Sequence, residues 1–425
     1  MFRKLLVILL IGLAISCHPK LNPIQQQIQS DINRSEVFKN NFTGLVVYDP
    51  VTKDTLVNIN GSKYFTPASN TKIVTLYTAL TLIPKQIEAL KYTTKNDSLF
   101  IKGTGDPSFF HPFFKDSTLY FFLKDKSTIT LVKGQLDDDH YGPGWAWEDY
   151  DAAFSAERSA LPIYGNVLEV IHTNGVTQFT PDYFINSSQM TAFSMPRKRA
   201  NFTNEFYIPL RENDTIQVPF IQSDTLTSRL LSLALNKEVR LMPPQNDVVF
   251  DQKLYGMSRD SLLKQMMVVS DNFIAEQLLL NASSTQLNRL NSRDIRRFVL
   301  DSLLSDLQQK PRWVDGSGLS RYNLFSPISI VQVLEKIQQN SEHYLEFFPI
   351  GGETGTLEHW FNGTNQPYIY AKTGSLGNNF NLSGFLITSS GKTLIFSFMN
   401  NHYTQPSSVV KKEMGVVLRR IRDDY

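Results

Sequence analysis

An uncharged run of eight residues, Ile73-Val74-Thr75-Leu76-Tyr77-Thr78-Ala79-Leu80, constrains this chain more than any other stretch. A helix that is apolar all round has to be surrounded by other elements, so this run reads as a buried helix. It follows Pro67-Ala68-Ser69-Asn70-Thr71-Lys72, which puts Ser69 in the first turn and Lys72 three residues on. Residues three apart share a helix face, so the Lys72 ammonium reaches the Ser69 hydroxyl. A serine hydroxyl is a poor nucleophile until a neighbouring base takes its proton. A lysine supplies that base when burial or a second cation favours its neutral form. The positive end of the helix would also stabilise an oxyanion beside Ser69. Alone the spacing is weak, because Ser261/Lys264, Ser389/Lys392 and Ser408/Lys411 repeat it.

With 425 residues the chain is too long for one ordinary core, and two or three domains are expected. The net charge of +2, with no basic block interleaved with aromatics, gives no case for nucleic-acid binding. The seven histidines are scattered without metal-ligand spacing, so neither a metal nor another cofactor is expected. Arg3 and Lys4 precede an apolar run from Leu5 to Ile15, then Ser16 and Cys17. A basic start, a short apolar core and a small residue describe an export signal over residues 1–17, too short to span a membrane comfortably. Cys17 is the sole cysteine, which excludes an intrachain disulfide. Its position resembles the lipidated cysteine of bacterial lipoproteins, although Ala14 stands where those signals usually carry leucine. A plain signal peptide cleaved nearby is the alternative. Both readings take the protein to the periplasm or cell envelope; the first also anchors it to a membrane.

Ile24, Ile28 and Ile32 mark a surface helix within residues 22–40, and residues 42–49 and 54–59 read as a hairpin. From about Lys91 short alternating segments recur, at 98–101, 128–132 and 167–171, separated by turn signals such as Gly142-Pro143-Gly144. This β-rich texture lasts to about Pro244 and reads as an inserted domain. Helical patterns then cover 258–269, 273–281, 293–309 and 328–339. A hairpin at 380–388 and 393–399 and a closing helix at 409–421 end the chain. In this frame Ser389/Lys392 falls in a hairpin turn, Ser408/Lys411 at the start of a polar helix, and Ser261/Lys264 on a helix with no third partner.

Three motifs stand in order at element boundaries: Ser69-Asn70-Thr71-Lys72, Ser270-Asp271-Asn272 and Lys372-Thr373-Gly374. The set is similar to that of penicillin-binding proteins and class A β-lactamases. Its chemistry is that of acyl transfer. Ser69 attacks a carbonyl, Lys72 takes its proton, and Ser270 relays a proton to the leaving amine. Asn272 offers an amide to the substrate backbone. Lys372 adds a second cation that favours neutral Lys72 and attracts a substrate carboxylate, and Thr373 hydrogen-bonds that carboxylate. Gly374 lets the strand backbone approach the ligand, and the Ser375 N–H completes an oxyanion hole with that of Ser69. The bland readings are an N-cap for the second motif and a strand end for the third.

Beyond these motifs the chain resembles the D-alanyl-D-alanine carboxypeptidase/endopeptidase family, the type-4 low-molecular-mass penicillin-binding proteins. Lys72 and Ser270 are far apart, and that family carries inserted domains in this gap. Its insert signatures match Gly105-Asp106-Pro107 and Pro143-Gly144-Trp145-Ala146-Trp147-Glu148-Asp149. Its Asp-Gly-Ser-Gly-Leu-Ser-Arg loop stands at Asp315 to Arg321, and Gly352-Glu353-Thr354-Gly355-Thr356-Leu357 precedes the third motif. The resemblance implies that Arg321 lies at the substrate cleft, as a candidate for peptide carboxylates. It implies an acidic residue and an aromatic from the insert at the cleft, for which Asp137 and Tyr141 match best; a solvated turn and a packed ring are the alternative. Gly377 stands where some members carry a polar, substrate-contacting side chain. Asp106, Trp145 and Trp147 read as a turn residue and packed aromatics.

The expected fold is α/β (α+β): a transpeptidase-like domain of residues 21–90 and 245–425, an antiparallel sheet flanked by helices, with a β-rich insert at 91–244. The resemblance implies an exported acyl-serine carboxypeptidase or endopeptidase acting on peptidoglycan stem peptides and acylated by β-lactams. A β-lactamase is the alternative within hydrolases, but no Glu-x-x-Leu-Asn segment supplies a deacylating glutamate. A catalytically weak wall-binding protein of the same fold is the other.

Overall fold

The computed structural model describes residues 23–134, 136–192, 195–209, 211–244 and 248–425; the expected export signal and Cys17 lie outside them. Helix α1 (Pro23–Arg34) leads to strands β1 (Phe42–Asp49) and β2 (Asp54–Ile59). A 3-10 turn, Ala68–Thr71, carries Ser69 and runs into helix α2 (Lys72–Leu82). Ser69 therefore sits in a tighter turn ahead of the α-helix rather than in its first turn. Next come β3 (Gln86–Lys95), β4 (Ser98–Gly103), α3 (Thr118–Lys124), β5 (Thr128–Val132), β6 (Val167–Thr173) and β7 (Val176–Thr180). They are followed by β8 (Ser188–Thr191), β9 (Phe206–Pro209), β10 (Asp214–Pro219), α4 (Asp224–Leu235), β11 (Val239–Met242) and β12 (Gln252–Ser258). Helices α5 (Arg259–Val268), α6 (Asn272–Leu287), α7 (Ser292–Phe298) and α8 (Pro327–Asn340) come next. Strands β13 (Ile369–Leu376), β14 (Asn379–Ile387) and β15 (Thr393–Asn401) and helix α9 (Ser407–Asp424) complete the chain.

The central sheet has the order β13-β14-β15-β1-β2, antiparallel throughout. It is buried on both faces. Val46, Ile395 and Met399 face a core built with α2, α5, α6 and α8. Their strand neighbours Leu45, Val47, Leu394, Phe396 and Phe398 face a second core with α1 and α9. The two-residue alternation of strands sends successive side chains to opposite cores, so these strands are apolar almost without a break. Helix α2 is buried from Lys72 to Ala79, as an uncharged run requires.

A second five-stranded sheet, β11-β5-β4-β3-β12, is mixed: β5 runs parallel to β4 and β11, while β3 is antiparallel to β4 and β12. Strand β3 starts at Gln86, so the strand itself crosses residue 91. This sheet packs with α4 and the β10-β6-β7 sheet around Leu90, Ile101, Leu131, Leu168, Phe206 and Phe220. The expected long helix over 293–309 is shorter: α7 stops at Phe298, and a π turn, Val299–Leu303, ends at Leu304.

Candidate active site

The Ser69 turn is held from three sides. From β13, Gly374 lies against it: a Cβ there would stand 2.3 Å from the Pro67 carbonyl oxygen and 2.9 Å from the Asn70 nitrogen. The glycine is thus required by the packing of β13 on the Ser69 turn. Asn70 fastens the contact, donating to the Lys372 carbonyl at 2.8 Å and accepting from the Ser383 hydroxyl at 2.7 Å. From the second side comes the 315–321 loop. Gly318 has φ 83°, and its Cβ would fall 1.9 Å from the Ala68 carbonyl oxygen. The loop winds around the Asp315 carboxylate, which accepts from the Gly318 and Ser320 amides, the Asn323 amide group and the Trp145 indole. Helix α6 closes the third side.

Lys72 is fully buried at the meeting point. Its ammonium donates to Ser69 Oγ at 3.1 Å, to Asn272 Oδ1 at 2.6 Å and to the Ser317 carbonyl oxygen at 2.7 Å. Burial pushes its pKa down to about 8, against the pull of Asp271, Asp315 and Glu276. Lys372 is equally buried, and its ammonium donates to the Thr373 carbonyl oxygen at 2.9 Å. Burial, and then the Lys72 charge, push Lys372 well below the usual lysine range. This corrects the expectation that Lys372 chiefly lowers Lys72. Among the described residues Lys72 has three acceptors and Lys372 one, and the repulsion between the two lysines falls on Lys372.

The second motif divides its work. Ser270 has a left-handed backbone, φ 64°, that turns the chain between α5 and α6. Asp271 caps α6, accepting from the Ile274 amide at 2.9 Å. Asn272 uses both ends of its amide, Oδ1 for Lys72 and Nδ2 for the Phe154 carbonyl oxygen at 3.0 Å. The amide nitrogen has a second N–H, which remains for a substrate backbone. On β13, the Thr373 hydroxyl donates to Thr356 Oγ1 at 2.8 Å, and Ser375 is exposed one residue beyond the Gly374 contact. A buried lysine bonded to a serine, beside a helix N-terminus and an exposed strand edge, is equipped to transfer an acyl group through the serine.

The comparisons agree with this geometry. Residues 24–203 and 245–421 match the model of the D-Ala-D-Ala carboxypeptidase 3 (S13) family. The chain belongs to that family. It is 27% identical to the D-alanyl-D-alanine carboxypeptidase DacB of Haemophilus influenzae, over 82% of this chain and 83% of that one. The crystal structure of penicillin binding protein 4 (dacB) from that organism has a TM-score of 0.70, with 21% identity, over 93% of this chain and 98% of that one. The same protein complexed with a β-lactam gives 0.63, with 19% identity, covering 93% and 98%. A predatory peptidoglycan endopeptidase from Bdellovibrio bacteriovorus gives 0.53, at 15% identity, covering 91% and 93%. As an S13 member the chain is a serine-type D-Ala-D-Ala carboxypeptidase with a transpeptidase-like, mixed α/β fold.

In this S13 enzyme Arg321 is exposed near the β13–β14 turn, its Nη2 3.5 Å from where a Gly377 Cβ would lie. Its charge also pulls on Asp149, whose carboxyl is raised first by burial and then by Glu148. The structure does not bring Asp137 to the cluster. Its backbone pairs with Leu290 and Asn291, and it lines a cavity of about 40 Å³ with Lys91, Asn288 and Arg289. Tyr141 is also held elsewhere, donating to Glu157 at 3.1 Å with its ring 6.1 Å from Trp145. The insert residues found at this cluster are Phe154, whose carbonyl meets Asn272, and Trp145, whose indole donates to Asp315; Asp149 feels Arg197 first and then Arg321. Trp145 belongs to the Pro-Gly-Trp segment and so carries a sequence signal; Phe154 engages through its backbone, which leaves no side-chain signal. Trp145 is tied to Asp315 as a structural residue, whereas Trp147 is 61% exposed.

Proposed function

We propose that Ser69 is the acylated nucleophile and Lys72 its base. What carries the reading is the 3.1 Å bond between a fully buried lysine and the serine hydroxyl. With a pKa of about 8, roughly one Lys72 in ten is neutral at pH 7, enough to start the reaction. Ser69 Oγ attacks the carbonyl of the D-Ala-D-Ala peptide bond as its proton passes to Lys72. The oxyanion is received by the backbone N–H groups of Ser69 and Ser375. The Ser270 hydroxyl passes a proton to the departing amine, D-Ala leaves, and water resolves the ester. Thr373, Lys372 and Arg321 receive the substrate carboxylate. A carboxylate at Lys372 favours the ammonium there, and like-charge repulsion then helps Lys72 release its proton. An amide cross-link passing through the same cleft would be cut by the same steps.

The enzyme is exported by its N-terminal signal and held at the envelope through a lipid on Cys17, a reading supported by the basic start, the apolar run and the single cysteine. The mass of the mature N-terminal peptide tests this: an unmodified N-terminus beyond Cys17 overturns it. The reaction is tested by incubation with purified muropeptides, monomeric and cross-linked, and mass analysis. Release of D-Ala or opening of cross-links is expected from wild type and not from Ser69→Ala. A wild-type protein that releases neither, or that turns over penicillin rapidly instead, contradicts the assignment.

A further inference from the structure

One buried acid beside the motifs has no place in the chemistry above. Glu276 lies one turn beyond Asn272 on α6 and is 1% exposed. Its Oε1 accepts from the Ser317 amide at 2.7 Å. The carbonyl oxygen of that same residue accepts from the Lys72 ammonium at 2.7 Å. Its Oε2 has no hydrogen-bond donor among the described residues and faces Arg158 Nη1 at 3.6 Å. Arg158 comes from the insert and is itself 1% exposed. It is pinned by the Asp139 and Tyr141 carbonyls at 2.8 and 3.0 Å and by the Ser292 hydroxyl at 3.2 Å, with Asp138 at 3.7 Å.

We propose that Glu276, clamped by Arg158 of the insert, is a positioning residue for Lys72, which it seats by holding the Ser317 residue whose carbonyl receives the ammonium. The inference rests on Lys72 acting as the base. A buried carboxylate without a cation is strongly disfavoured against its protonated form. Burial and then Asp315 raise the Glu276 carboxyl, and Arg158 opposes them in favour of the carboxylate, so the insert becomes part of the lysine's support. The charge matters as well as the contact. Lys72 is faced by Asp271 from the α6 cap, by Asp315 from the loop, by Glu276 from α6 and by Lys372 from β13. Glu276 is faced by Arg158, Asp315 and, from α7, Arg296. Each carboxylate favours the Lys72 ammonium, so losing the Glu276 charge lowers the pH at which Lys72 becomes neutral.

The test is the pH dependence of acylation by a fluorescent penicillin, followed for wild type, Glu276→Gln, Glu276→Ala and Arg158→Met, with thermal melts alongside. Glutamine keeps an acceptor for the Ser317 amide but not the charge. It should still be acylated, with the midpoint of the rising limb moved to lower pH by about half a unit or more. Arg158→Met should move the limb the same way, because Glu276 then takes up a proton. Alanine removes the acceptor as well, and the acylation rate should fall about tenfold or more. If Glu276→Ala does not fold, Glu276→Gln carries the test alone. A Glu276→Gln limb that superimposes on wild type, with an unchanged melt, overturns the proposal. Lys72→Ala and Ser69→Ala separate the two claims: labelling of either overturns the underlying assignment, whereas loss in both with an unmoved Glu276→Gln limb overturns the positioning role alone.

Discussion

Two kinds of buried charge decide the behaviour of this enzyme residue by residue. Lys72 is kept on the acid side of an ordinary lysine by burial while three carboxylates hold it back, which leaves it poised near neutrality. Asp106 is the opposite case. It is 2% exposed, and burial raises its carboxyl to about 6 even though the Ser108 amide donates to it at 2.8 Å. A raised native pKa means that the folded state binds this proton more tightly than the unfolded chain does. The favourable contribution is therefore complete below about pH 4, declines as pH rises to about 6, and is a net cost above it. Asp106→Asn, which keeps the acceptor for Ser108, should raise the melting point at pH 7.5, by about 1–3 kcal/mol of stability, and change it little at pH 4. Equal effects at both pH values would contradict this account of the residue.

At the scale of elements, the site exists because β13 lies on the backbone of the Ser69 turn. The contact leaves no room for a side chain at Gly374. Gly374→Ala should push β13 away, cost about 1–3 kcal/mol, and slow acylation about tenfold or more, because Ser375 moves with the strand. Denaturant unfolding and labelling rates measure the two effects; an alanine variant with wild-type rates would show that the approach is not needed. Much at this scale was legible in advance. The uncharged run predicts α2, the apolar runs bounded by turn signals predict β1, β14 and β15, and the three motifs stand at element boundaries. What was not legible was the immediate purpose of individual groups. The sequence pattern gives Gly374 a role toward a ligand but does not show its close approach to Pro67 and Asn70. Asp137 and Tyr141 were chosen by local pattern, yet their partners are Leu290 and Glu157. Sequence spacing within an insert does not say which part of the rest of the molecule each of its turns meets.

For the whole molecule, α6 is the shared member. Ile274, Ala275, Leu278, Leu279 and Ala282 pack into the core behind the central sheet. The other side of the helix binds the insert by buried amides. Gln277 donates to the Gly105 and Ser159 carbonyls at 3.0 and 2.9 Å and accepts from the Ser159 amide at 3.0 Å. Asn281 donates to the Glu88 carbonyl at 2.9 Å. Those polar residues ended the helical reading at Asn281, although the helix runs to Leu287, because burial by hydrogen bonding does not look apolar in a sequence. Gln277→Leu leaves three buried backbone groups unpaired and should lower stability by roughly 3 kcal/mol, measured by urea unfolding. A change of less than about 0.5 kcal/mol would mean that the insert is held by its apolar contacts alone.

All of these scales converge on one hydroxyl. Mass spectrometry of the protein after exposure to penicillin, with peptide mapping, tests that convergence most directly. A single penicilloyl adduct on the peptide containing Ser69, absent from Ser69→Ala and formed faster as the pH rises through about 8, is the predicted result. An adduct on another residue, or one retained by Ser69→Ala, would contradict it.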